Sequence, residues 1–177
     1  MAERNTIERV KARQGLLSKV QNLFLFGYAT KEDLRELDKK MRDDQYRALC
    51  DIHHTWEQIY RSILEAGIKI SNQDLKRVLL VLDRVMANIR RADYGYAGLW
   101  DRKGQINENE LARIFNFDRT VSIDIENMTE TVRSISRNID EENWIKTRTD
   151  IKQVKQLLYA LEVKWNEREN LFRPLEV

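Results

Sequence analysis

Proline occurs once in this chain, at position 174, and glycine only six times in 177 residues. Both residues interrupt regular backbone, proline by lacking an N–H and glycine by its freedom to turn. A β-sandwich or barrel must reverse direction roughly every eight to twelve residues and spends such residues at each turn. Few reversals are available here, so the chain must fold into long helices. Apolar residues make up 42% and charged residues 34% of it, enough for a core beneath a densely charged surface. The expectation is an all-α bundle of five or six mostly antiparallel helices with coiled-coil-like packing, in a single domain over 1–177.

The apolar spacing assigns the helices. A first runs from about Ile7 to Phe26, with Ile7, Val10, Leu17 and Phe24 on one side, and Gly27 ends it. Thr30-Lys-Glu-Asp33 resembles a capping box and opens an unusually long helix, about 31–66. Its stripe is Leu34, Leu37, Met41, Gln45, Ala48, Leu49, Ile52, Trp56, Ile59 and Ile63, with Gly67 as the C′ residue. Ser71 to Asp74 repeats the capping pattern before a third helix bearing Leu75, Val78, Leu79, Leu82, Val85, Met86 and Ile89. An aromatic and glycine-containing loop is expected at about 93–106. Asn107 to Glu110 then caps a short helix carrying Leu111, Ile114 and Phe115. A fifth helix follows with Val121, Ile125, Met128, Val132, Ile135 and Ile139. A last one bears Ile151, Val154, Leu158, Leu161 and Trp165 and stops before Pro174.

Chemistry is harder to find. The only cysteine and both histidines fall within Cys50-Asp-Ile-His53-His54, with Glu57 beyond. Cys50 and His54 share a helical face, but a zinc site needs three or four protein ligands and no second Cys/His pair exists. No metal site and no cofactor are therefore expected. Nucleophile-elbow, phosphate-loop and His-Glu-x-x-His patterns are all absent, so no catalytic residue is assigned and a non-enzyme is expected. Asp83 and Asp93 fall at or near the third helix's apolar line, as partly buried carboxylates that an arginine would neutralise. The stretch from Leu99 to Glu110 resembles an EF-hand calcium loop, with Asp101, Gly104, Ile106 and Glu110 in matching positions. It departs from that loop at two ligand positions, Leu99 and Lys103, and the lysine would repel the ion. A turn followed by a capped helix fits better.

Two surfaces remain as binding candidates. Arg77, Arg84 and Arg91 recur every seven residues on the solvent side of the third helix, with Lys69, Lys76 and Arg90 beside them. Such a row suits phosphates, although a net charge of +2 argues against a histone-like polyanion coat. In the expected loop, Tyr94, Tyr96 and Trp100 lie between Asp93 and Arg102, aromatics that either fold back as a plug over the bundle end or present a partner- or ligand-binding surface with charged ends. The leading expectation is a helical interaction or scaffold protein that pairs with itself or another helical protein through a helix face. The alternative is a nucleic-acid-associated accessory protein using the basic face. No stretch nears the ~20 apolar residues of a membrane span, and a lone Cys50 suits a reducing compartment. Cytoplasm is the expected location, and no small-molecule substrate is indicated.

Overall fold

A computed structural model describes the backbone of residues 31–101 and 108–172, and the side chains of 39–91 and 116–167. The first expected helix, about 7–26, lies outside these residues, as do the side chains of Leu34 and Leu37 of the long helix's stripe. Among the described residues there are four helices and no strand: α1 Lys31–Glu65, α2 Asn72–Asp101, α3 Glu108–Asp140 and α4 Trp144–Phe172. Residues 39–177 form one compact unit, distinct from 1–38, and the bundle below is that unit.

The turns follow from their residues. Gly67 closes α1 at φ +64°, and its N–H donates to the Leu64 carbonyl at 3.1 Å while Ile68 N–H reaches Ile63 at 3.4 Å. That pair of bonds satisfies two of the carbonyls left over at a helix end. Ser71 then caps α2, its Oγ accepting from the Asp74 N–H at 3.3 Å. The α3–α4 turn uses the same device with a different residue. Glu142 sits at φ +54°, its N–H bonds to Ile139, and Asn143 N–H bonds to Asn138 at 2.7 Å. Asn143 serves twice, because its Oδ1 also accepts from the Lys146 N–H in the first turn of α4.

Side chains crossing between helices set the order around the core. Antiparallel α1 and α2 meet at Arg90 over the Tyr46 ring, 5.9 Å from its centroid, and at Trp56, whose Nε1–H donates to the Leu75 carbonyl at 3.1 Å. Lys155 of α4 pairs with Asp74 at 2.6 Å and Glu162 with Arg84 at 3.2 Å, so α2 and α4 lie side by side and parallel. Antiparallel α3 and α4 are joined by the Lys164–Asp124 pair and by Asp150, which accepts from Asn138 and Ser134. Gln45 Nε2 of α1 donates to the Asp118 carbonyl and to Ser122 Oγ of α3, both at 3.1 Å. The contacts close a ring in the order α1, α2, α4, α3. Leu49, Ile52, Trp56, Leu82, Val85, Met128, Ile135, Leu161 and Trp165 fill it and are almost wholly buried.

Two expected boundaries differ. The segment read as a loop from Asp93 is helical as far as Asp101, and the fourth and fifth expected helices are one, α3. Gly95 and Gly98 each disfavour helix by only about 1 kcal/mol relative to alanine, and without a proline nothing forces a stop. Between Phe115 and Val121 the apolar stripe is continued by a polar residue, Asp118, which is fully buried. Residues 102–107 lie outside the described ones.

Candidate functional site

Three arrangements bear on function: a buried polar cluster and two exposed helix faces. The cluster lies between the C-terminal part of α3 and the start of α4. Asp150 Oδ2 accepts from Asn138 Nδ2 at 2.8 Å and from Ser134 Oγ at 2.9 Å. Thr147, buried beside them, donates to the Asn143 carbonyl at 2.9 Å. Each donor has an acceptor, and the carboxylate is held by two hydrogen bonds, as a buried charge requires. No base or nucleophile completes a relay there, and the cluster ties two helices together. Sequence reading passed over it, yet Asp118 and Asn138 extend the α3 stripe at helical spacing and Thr147 and Asp150 extend that of α4. That was the available signal.

The first exposed face lies along α2 and α4. Arg77, Arg84 and Arg91 are exposed on α2, as the seven-residue spacing predicts. Parallel α4 brings Arg148, Lys152 and Lys155 to the same side, a contribution invisible while helix neighbours were unknown. Arg77 and Lys155 line one shallow groove with Tyr159, over a floor of Val78, Val81 and Leu158. Arg148 Nη2 donates to the Lys69 carbonyl at 3.4 Å and so gathers Lys69 to this end.

The second face lies along α3 and α4 and is poor in charge, with the Lys164–Asp124 pair in its middle. On α3 the helical row Asn116, Thr120, Ile123, Asn127, Thr131 and Ser134 carries none, and on α4 neither does the row Ile145, Thr149, Gln153, Gln156, Ala160 and Val163. The Lys164–Asp124 pair joins the two helices between Ile123 and Val163, which are 44% and 56% exposed. Three hydroxyls on this face donate to their own helix: Thr120 to Phe117, Thr131 to Asn127 and Thr149 to Ile145. Their protons are thus committed to backbone carbonyls, which lowers the cost of removing the face from water.

His53 Nε2 stands 3.3 Å from Asp83 Oδ1, and the Asp83 side chain is 61% exposed. The expectation of a partly buried Asp83 neutralised by arginine is thereby corrected: the residue turns outward past the edge of the stripe, toward α1. Cys50 is half-buried and His54 is exposed next to Gln58. Among the described residues no three His, Cys, Asp or Glu side chains converge as metal ligands would. Asp93, Tyr94, Tyr96 and Trp100 have helical backbone with side chains outside the described set, and Arg102 lies outside it altogether. So do residues 102–107, half of the stretch resembling a calcium loop, whose first three residues end α2 and whose last three begin α3. No described helix is long and apolar enough to cross a membrane. No protein-family model, curated protein or solved structure matches the chain.

Proposed function

We propose that the chain is a non-enzymatic helical interaction protein that self-associates through its α3–α4 face, a scaffold of the kind that presents surfaces and not a reaction centre. The observation that carries this reading is the pair of charge-free rows. In a sequence that is 34% charged, a solvated helix exterior is expected to carry charge along its length. The cores of protein interfaces, by contrast, are depleted in it. Ile123 and Val163 supply apolar contact, the threonine methyls add to it, and Asn127, Gln153 and Gln156 supply hydrogen bonds at the rim. A second copy related by a two-fold axis would lay the same rows against one another, the self-complementary geometry of most homodimers. A cytoplasmic setting suits the free thiol of Cys50.

Sedimentation velocity tests the reading. The wild-type chain is expected at about twice its 21.2 kDa mass at high micromolar concentration. The double variant Ile123→Lys, Val163→Lys is expected at the monomer mass with unchanged helicity, because both side chains are exposed. A wild-type monomer at these concentrations, or a variant that still dimerises, would overturn the assignment.

A further inference from the structure

The basic face of α2 and α4 calls for an explanation independent of self-association. The chain as a whole carries only +2, whereas six cations from two neighbouring helices share this side: Arg77, Arg84, Arg91, Arg148, Lys152 and Lys155. Two acids oppose them, Asp74 held by Lys155 at 2.6 Å and Glu162 held by Arg84 at 3.2 Å. Among the described residues no acid pairs with Arg77, Arg91, Arg148 or Lys152. Charge is therefore segregated, and a one-signed surface attracts a partner of the opposite sign.

The layout of the cations narrows the partner. Arg77 to Arg91 spans fourteen residues, about 21 Å along a rigid helix axis, and the α4 cations recur at three- and four-residue steps beside it. Two rigid parallel rows match a linear, regularly charged polymer, for which each strand of a duplex offers a phosphate about every 3.4 Å along the axis. A bilayer surface is also anionic, but a helix that lies in it presents a continuous apolar strip flanked by lysine and arginine. Here the cations occupy the face itself. Its apolar floor, Val78, Val81 and Leu158, is buried, and the large apolar side chain exposed beside it is the isolated Leu80.

We infer that the α2–α4 face binds the phosphate backbone of nucleic acid, without sequence preference, using cations of both helices. The bonds are charge-assisted contacts from guanidinium and ammonium groups to phosphate oxygens, and the driving force is release of the counterions those phosphates had condensed. Exposed planar base-reading groups are not needed, and discrimination among sequences is not expected.

Fluorescence anisotropy with a labelled duplex of mixed sequence provides the test, titrated between about 50 and 200 mM salt, where a protein contacting six phosphates loses roughly a thousandfold in affinity. Two double variants separate the helices: Arg77→Gln, Arg91→Gln on α2, and Arg148→Gln, Lys152→Gln on α4. These side chains are exposed and stand outside the interhelical ion pairs, so helicity is expected to persist. Each variant should weaken binding at least tenfold and flatten the logarithmic salt slope by about 2, one per lost contact. Salt-independent binding, or an α4 variant that binds as wild type, overturns the two-helix surface. So does tighter binding to phosphatidylserine vesicles than to DNA at equal phosphate concentration. The Ile123→Lys, Val163→Lys variant should keep the α2–α4 contacts and their salt slope as a monomer, so loss of self-association and loss of this site are separately visible.

Discussion

Single residues show where helical periodicity reads truly and where it misleads. Ile151, Val154, Leu158, Leu161 and Trp165 were all expected on one line and all are buried, because one helix face meets one core. Val81 was not expected there, yet it is buried too. It lies beside the main stripe of α2, and α4 covers it from a direction that only tertiary packing defines. Asp150 illustrates the converse, a charged residue on a buried line. Its carboxylate accepts from Asn138 and Ser134, so Asp150→Ala takes an acceptor from both and leaves Asn138 only its 3.4 Å bond to Ser134 Oγ. Leaving a buried group unsatisfied costs roughly 1–3 kcal/mol, more where a charge was involved. A fall of about 3 kcal/mol in urea-unfolding free energy is expected, with the α3–α4 helices otherwise retained. A loss below about 0.5 kcal/mol, the scale of ordinary surface substitutions, would show that the cluster is solvated.

At the scale of elements, the α1–α2 and α3–α4 turns make a matched pair with opposite mutational signs. Gly67 and Glu142 both hold the left-handed conformation that ends a helix, at φ +64° and +54°. A Cβ at Gly67 would meet nothing within 4 Å, so Gly67→Ala carries a backbone cost alone, about 1–2 kcal/mol. Glu142 already bears that cost, and Glu142→Gly is expected to raise stability by about 1 kcal/mol after allowing for glycine's greater unfolded entropy. Thermal melts of the two variants should move in opposite directions. Gly67 was legible as a stop because glycine is the usual C′ residue. The second turn was not, since neither Glu142 nor Asn143 announces a reversal and the Asn143 cap becomes a signal only once the turn is known. Gly95 and Gly98 misled for a related reason. Glycine lowers helix propensity without forbidding helix, and α2 passes through both on its way to Asp101.

For the molecule as a whole, the two faces flank α4 on different sides, so the proposed self-association and the proposed polyanion contact use separate surfaces. The α2 arginines were visible in the sequence as a seven-residue recurrence. Their α4 partners and the charge-poor α3–α4 face were not, because both depend on which helices are neighbours. The ring order also sets a timetable. The α3–α4 hairpin is closed by contacts only 12 and 16 residues apart in sequence, Asn138 and Ser134 to Asp150, whereas hairpin-to-hairpin contacts span 73 to 81 residues, from Gln45 to α3 and from Lys155 to Asp74. Loop closure is cheaper over the shorter span, so the hairpin should assemble before the two halves dock. Stopped-flow refolding of Asn138→Ala is then expected to slow the folding limb, while Gln45→Ala chiefly quickens unfolding. A bundle built in this order exposes the inner sides of two finished hairpins for a moment on every folding event, and each of those surfaces can recognise the other half from a neighbouring chain as readily as its own.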